Sequence, residues 1–429
     1  HQNQQKPSKQ TTQTTDSTTY LVIPMSFSCL LAASKSLLIL PKDYNSVRAH
    51  HVVVLYGLGK LFVKTSLFKT LSNKILSLLS MTTEVMIPLI FKGIVPDYFV
   101  RLGIRIQLYD HLALLKNEFV ETELQSKMDI VRKLHTMPIA IETAAANQQH
   151  YEVPAKFYDL CLGPCKKYSS GLWPHPNTTF EESEIAMLDI YCERSGVQDG
   201  MKVVDLGCGW GSLTLHLAKK YPNLKITSIS NSNSQREYIM STAAKRGYNV
   251  ENIKVITCNV ADDKGALGVV KDNDLVMTIE MFEHMKNYND LLEKVHGFLK
   301  PNGKLFVHIF THKDYTYHFE KSWMTDNFFT GGTMPSDDLL LYFAKDFAVE
   351  NHWRCSGINY ERTSNGWLAY LDKAWKEGSL KPVLKEAYGE GNEYKWYINW
   401  RMFFLICAES WGLQNGEEWL VSHYLFQRR

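Results

Sequence analysis

The sequence predicts an α/β fold built on a parallel sheet, and three observations carry that reading. The run Val203-Val204-Asp205-Leu206 enters a turn with Gly207, Gly209 and Gly211, and a helical pattern at Leu213, Leu215, Leu217 and Ala218 follows, closed by Pro222. Strand, glycine turn and helix make the first half of a βαβ unit. From Asp199 onward strand and helix signals alternate, which is the pattern of a parallel sheet. A turn at Pro301-Asn302-Gly303 then separates the helix Asp290–Leu299 from the next strand.

Taken in order, residues 84–136 show helical spacing at Val100, Ile104, Leu108, Leu112 and Leu115, and Pro138 closes the block. Strand candidates are Val203–Leu206, Lys225–Ile229, Ile253–Thr257, Asp274–Ile279 and Lys304–Ile309. Residues 310–375 mix aromatics, a Gly-Gly pair and charges without a clear period, and read as an inserted cap. Tyr394–Leu413 reads as a buried helix and Trp419–Gln427 as a final strand. The expected organisation is therefore a leader at 1–80, an N-terminal helical segment at 81–198, and an α/β core at 199–429 with the cap at about 310–400.

Residues 1–19 are mostly Gln, Thr, Ser and Lys, a composition expected to be disordered. Between Ser17 and Thr83 the single acidic residue is Asp43, and Ser, Leu and basic residues abound. That stretch reads either as an organelle transit peptide or as non-native upstream sequence with the start at Met25 or Met81. The chain begins with His1, and is accordingly read as a fragment, a processed form or a read-through product.

The 429 residues suffice for a sizeable core. The net charge of +2, from 47 basic and 45 acidic residues, gives no nucleic-acid footprint at whole-chain level. Eight scattered cysteines form no C-x-x-C pair, so no metal site is expected. No apolar run reaches the roughly 18 residues of a membrane span. A cytoplasmic enzyme is the expectation, with organelle targeting as the alternative if the leader is translated.

The glycine turn narrows the cofactor. A dinucleotide site wants G-x-G-x-x-G and an acidic residue about 20 positions on. Here the glycines alternate as G-C-G-W-G, and the second strand ends in Ser230-Asn231-Ser232. Alternating glycines after a V-D-L strand resemble instead the first motif of S-adenosylmethionine (SAM) methyltransferases. There the turn makes room for the methionine part and the acidic residue holds its ammonium group.

Further motifs extend the resemblance. With "TIEMFEHMKNY" (278–288), "HYEVP" (150–154), "KYSSGLW" (167–173) and "NSNSQREY" (231–238), the chain resembles the cyclopropane-fatty-acid-synthase-like methyltransferases. "AMLDIYCER" (186–194), "TGGTMPS" (330–336) and "NGEEWLVSHYLF" (415–426) look like the plant coclaurine N-methyltransferase group within them. The resemblance covers roughly residues 84–429. It implies a Rossmann-like class I SAM-dependent core, a small aromatic amine or alkaloid as acceptor, and a possible homodimer. It places Tyr168, Ser169, Asp205, Gly207, Gly209 and Gly211 beside SAM. Asn231 and Gln235 fall near the ribose, with Asn259 and Val260 beside the adenine. Relatives usually carry Asp at the position of Asn259.

N-methylation needs an amine with a free lone pair, so carboxylates and imidazoles close to the nitrogen are the residues to find. Glu280, Glu283 and His284 follow the fourth strand, at the carboxyl end where α/β sheets bind ligands. The resemblance gives Glu283 and His284 the base role and sets Glu152 near the amine, so the expected ranking is Glu283, His284, Glu152, Glu280. In isolation His284 would equally read as a packed histidine, and Glu280 as a solvated or capping carboxylate. Phe310, Phe329, Tyr342, Phe343, Trp353 and Trp400 are expected to line an apolar acceptor pocket together with His308 and Tyr360, although aromatics are also ordinary core. The competing function is methylation of unsaturated phospholipid acyl chains, whose enzymes hold bicarbonate with a Cys, Glu, His and Tyr set. The matching positions read as Ser170, Glu283, His308 and Tyr360, with serine in place of the cysteine. His308 stands where coclaurine enzymes tend to carry Glu.

Overall fold

A computed structural model describes residues 88–116, 119–141, 153–261 and 265–429. The expectations for the leader and for Glu152 lie outside these residues.

Helices α1 (Asp97–Leu115), α2 (Val120–Thr136), α3 (Ala155–Cys161) and α4 (Phe180–Ser195) precede the sheet. α4 shows how sequence fixes a helix here. Thr179 and Glu182 form a reciprocal capping box at its start, and Gly196 at φ 69° ends it in the left-handed region. The core then runs β1 (Lys202–Leu206), α5 (Ser212–Lys220), β2 (Lys225–Ser230), α6 (Asn233–Lys245), β3 (Ile253–Thr257), β4 (Asn273–Ile279), α7 (Tyr288–Phe298) and β5 (Leu299–His312). It continues through β6 (Tyr317–His318), α8 (Trp323–Asn327), β7 (Thr333–Met334) and β8 (Phe347–Cys355). Helices α9 (Ile358–Lys376), α10 (Leu380–Tyr388) and α11 (Glu393–Gly412) follow, and β9 (Trp419–Arg428) comes last.

The main sheet has the order β3-β2-β1-β4-β5-β9-β8. The first five strands pair in parallel, while β9 runs antiparallel to both β5 and β8. Alternate residues of one strand serve opposite layers, as a two-faced sheet requires. Val204 and Val276 pack with Leu291 and Val295 of α7 on one face. Val203 and Leu275 pack with Leu188 of α4 and Leu217 of α5 on the other. A third core, rich in aromatics, joins α1, α3, α9, α10 and α11 above the sheet's carboxyl edge.

Two elements differ from the sequence reading. Residues 347–355 carry no clear period yet form the edge strand β8, because most of that strand is open to solvent and one flank has no partner to select apolar residues. The Pro301–Gly303 turn does not end an element, since β5 runs through it. Asn273 pairs with Leu299 and Leu275 with Lys304, so the turn is absorbed as an irregularity, with Asn302 at φ 63°.

Strand order reverses between β1 and β4, and the crevice above their carboxyl ends is the expected ligand position in such a sheet.

Candidate active site

The glycine turn after β1 is fixed from below, because the amides of Gly207 and Cys208 both donate to Ile229 O of β2 at 3.0 Å. Gly207 sits at φ 84°, and a Cβ there would meet Met281 Cγ at 2.6 Å, so only glycine fits. Gly209, at φ 50°, has nothing within 4 Å of its would-be Cβ, which leaves its backbone bare toward the cleft. Asp205 is buried and accepts from the Thr214 hydroxyl at 2.6 Å. Burial pushes its carboxyl up to about 6.

Two adjoining cavities share Gly207, Gly209, Gln235 and Met281. The larger spans about 1070 Å³ with its open mouth, and Tyr168, Ser169 and Asp205 lie on its wall with Phe310, Phe329 and Tyr360. The smaller spans about 420 Å³ and is lined by Asn231, Asn259 and Val260 among others. Gln235 is held by the Ser230 hydroxyl, 2.6 Å from its Oε1, and Asn259 Oδ1 accepts from the Ala261 amide at 2.9 Å. Nearly all the sequence-predicted cofactor residues thus come together. Gly211 is the exception: it lines neither cavity, and a Cβ there would strike Ile239 at 2.5 Å, so it serves the approach of α6 to the turn.

Beside the turn, Glu184 of α4 accepts the amides of Cys165 at 2.9 Å and Lys167 at 3.2 Å. Lys167 is buried and donates its ammonium to Ser170 O at 2.7 Å and to the Ser169 hydroxyl. Burial lowers that ammonium to about 8. These bonds shape the loop that turns Tyr168 into the cleft. The Tyr168 hydroxyl is buried and finds no partner among the described residues. A bare glycine backbone, a buried carboxylate and an orphaned hydroxyl are features a SAM molecule would satisfy, and the site fits it.

On the other side, Glu280 stands at φ 46° at the end of β4, with its amide donating to His308 O at 2.9 Å. That turned backbone sends its carboxylate toward three donors. Oε1 accepts from the Ser170 amide at 3.0 Å and lies 2.9 Å from His308 Nε2, while Oε2 accepts from the Tyr360 hydroxyl at 2.8 Å. Glu280 therefore stands where the sequence reading had put Glu283, in the set with Ser170, His308 and Tyr360. Glu283 is also buried and lines the cleft, but its Oε2 has no partner among the described residues. Burial first, and then the Glu280 charge, hold Glu283 well above the usual carboxylate range. His284 lines the cleft and stacks on Phe329 with ring centroids 4.7 Å apart.

Several expected acceptor-pocket residues lie elsewhere. His308 is fully buried behind Glu280 and does not reach the cavity wall. Trp400 is turned into the aromatic core against Phe157, Phe328 and Phe403, with its indole N–H donating to the Tyr388 hydroxyl at 3.2 Å. Phe343 packs on Tyr288 and His135 under α7. Tyr342 is exposed, its hydroxyl 3.4 Å from Asp338, and Trp353 belongs to β8 beneath the Arg194 guanidinium. In their place Trp210, Trp367 and Phe403 face the cleft. Trp210 lies inside the glycine turn and Lys167 opens the motif "KYSSGLW"; nothing local marks Trp367, Phe403 or Glu184 as site residues. Among the described residues no cluster of His, Cys, Asp or Glu could hold a metal ion, and no helix is long and apolar enough to cross a membrane.

The strand order, the antiparallel β9 and the cleft above β1 and β4 define a Rossmann-like fold of the class I methyltransferase type. The family model for mycolic acid cyclopropane synthetase matches residues 140–409. The chain belongs to this family and is, like its homologues, a SAM-dependent methyltransferase. It is 38% identical to an (S)-coclaurine N-methyltransferase of Thalictrum flavum subsp. glaucum, over 79% of this chain and 93% of that one. It is 34% identical to a pavine N-methyltransferase of the same plant, over 79% and 94%. A crystal structure of coclaurine N-methyltransferase bound to N-methylheliamine and SAH superposes with a TM-score of 0.76 at 35% identity, covering 81% of this chain and all of that one.

Proposed function

We propose that the enzyme methylates the nitrogen of a small aromatic amine of the benzylisoquinoline or phenylalkylamine type. The observation that carries this reading is the buried carboxylate pair at the end of β4, set among aromatic rings. When bound, SAM supplies an electrophilic sulfonium methyl, which an amine with a free lone pair can take.

The chain's own groups prepare that amine. Asp205, Tyr168 and the bare backbone at Gly209 hold the cofactor end of the cleft, while Asn231, Gln235, Asn259 and Val260 flank its other end. Glu280, fixed by three donors although burial raises its carboxyl to about 7, is the carboxylate that meets a protonated amine, and Phe310, Phe329 and Trp367 line the same cavity, where aromatic rings favour a cation. Glu283 and His284 take the proton away. A carboxyl held above its ordinary range is a base matched to near-neutral pH. The same raised affinity means that activity rises with pH as Glu283 ionises, and is lost on acidification. Much of the remaining acceleration is alignment of acceptor and methyl in a closed site.

Methylation of phospholipid acyl chains is less well supported. The donors that would hold an anion are already engaged by the Glu280 carboxylate, and the Ser170 hydroxyl donates to Gly171 O at 3.0 Å. As part of the same proposal, the enzyme works in the plant cytoplasm and pairs with a second copy, which cell fractionation and light scattering test. The deciding experiment offers labelled SAM with aromatic amines or with unsaturated phospholipid vesicles. Label on amine nitrogen, falling about 100-fold or more in Glu283→Gln with SAM affinity kept, is expected. Label in acyl chains would overturn the reading.

A further inference from the structure

Behind Glu280 a line of side chains runs along the face of the sheet that α4 covers, across β5 and β9 to Arg194 at the end of α4. Arg194 NH1 lies 2.7 Å from His423 Nδ1, His423 Nε2 lies 2.8 Å from His308 Nδ1, and His308 Nε2 lies 2.9 Å from Glu280 Oε1. Both histidines are completely buried, one on β5 and one directly across from it on β9. Arg194 is partly exposed.

We propose that Arg194, His423 and His308 form an orienting chain that holds Glu280 in one geometry as an acceptor for the incoming cation, and that this chain does not conduct the substrate's proton out of the cleft. The proposal deepens the N-methylation reading and rests on it for its functional half.

The direction of the chain follows from donor and acceptor inventory. A guanidinium only donates. His423 Nδ1 must therefore be the acceptor, which puts the His423 proton on Nε2. That proton points at His308 Nδ1, which must accept, so the His308 proton sits on Nε2 and points at Glu280. Each link fixes the tautomer of the next. A proton arriving at Glu280 would have to pass to His308, reverse both tautomers and end on Arg194, which has no lone pair to take it. The arginine closes the exit. The histidines also resist charging, since burial is the first cause that lowers both, and the Lys167 and Arg194 cations add to it. The other groups facing the chain are Glu283, Tyr360 and Cys407 toward Glu280, Tyr191 of α4 with its ring centroid 5.2 Å from His308 and 5.5 Å from His423, and Cys355 Sγ 3.4 Å from Arg194 and 3.9 Å from His423. Among them only Glu283 could offer a second carboxylate, so Arg194 and Lys167 are the cations that set the balance. His308, His423 and Arg194 are thus positioning residues, and Glu280 is the group that meets substrate.

Two measurements test this. In imidazole-¹⁵N-labelled enzyme, His308 and His423 are expected to show protonated Nε2 and bare Nδ1, unchanged between about pH 6 and pH 9. A Nδ1-protonated form or an imidazolium at either residue overturns the chain, whatever the acceptor proves to be. In kinetics, Arg194→Met is expected to raise KM for the amine about tenfold more than it lowers kcat, and to move the acidic limb of kcat/KM upward. SAM affinity stays unchanged, and Arg194→Lys recovers most of the loss. An Arg194→Met profile that superimposes on the parent's overturns the functional half. If the parent enzyme turns over no amine at all, the N-methylation reading fails, and the tautomers still decide the chain.

Discussion

The two halves of the cleft are built from different material. The cofactor half is largely backbone: a glycine turn hung from β2, the ends of β1 to β3, and one buried carboxylate. The acceptor half is largely side chain, assembled from α3, β4, β5, α9 and α11 around Glu280. Backbone sites need glycine at fixed spacing and so leave a local mark. Side-chain sites need residues that only tertiary packing brings together, and leave almost none.

Substitutions can break this comparison or sharpen it. The largest expected effect is on neither half: Trp400→Ala should destabilise the protein by about 3–5 kcal/mol through loss of a buried indole. Denaturant unfolding measures it, and an intact KM for the amine in the surviving folded enzyme is expected. A raised KM with unchanged stability would return Trp400 to the pocket wall. Next, Glu280→Gln should lower kcat/KM about 100-fold while SAM affinity, read by calorimetry, holds. A parallel loss of SAM affinity would mean that the halves are not separable.

In the cofactor half, Asp205→Asn should weaken SAM about 10- to 30-fold and leave kcat at saturating SAM nearly unchanged. The parent should show the same dependence on pH. Burial raises the Asp205 carboxyl to about 6, so below that value it is protonated and cannot pair with the SAM ammonium. Affinity therefore falls as pH drops through about 6, and binding there releases protons as the ionised form is drawn out. A flat affinity from pH 5 to pH 8 would remove Asp205 from the contact. Gly207→Ala should cost about 1–2 kcal/mol by forcing a side chain into the left-handed region against Met281, seen as a lowered Tm. Tyr342→Ala, on the surface, should change kcat/KM by less than about twofold and stability by less than about 0.5 kcal/mol.

The same contrast explains what could be read in advance. β1 to β4 and the buried α11 follow from apolar patterning, and Asp205, Gly207 and Gly209 from the spacing of the turn. Glu280, Glu283 and His284 are legible as a group after β4, with Glu283 and His284 ranked ahead of Glu280, but their environments are not. A left-handed backbone at Glu280 is not written in its side chain, and that turn gives Glu280 its three donors while Glu283 keeps none for Oε2. Trp400 and Trp367 both lie on helices that pack together, and which of them meets the cleft depends on how α9 and α11 rotate against each other. Arg194 and His423 are separated by 229 positions, a distance over which a single sequence offers no signal.

The place of β9 also bears on how the enzyme is made. It is last in order yet sits between β5 and β8, with a run of paired residues on each side. A growing chain on the ribosome must therefore keep an open β5 flank until Trp419–Arg428 has emerged, and β8, which pairs with β9 alone, cannot join the sheet before then. Such late, long-range closure is slow and leaves a sticky edge exposed meanwhile. Yield on expression should depend on chaperone supply more than the stability of the finished protein would imply, and nascent chains stopped short of β9 should collect in insoluble material.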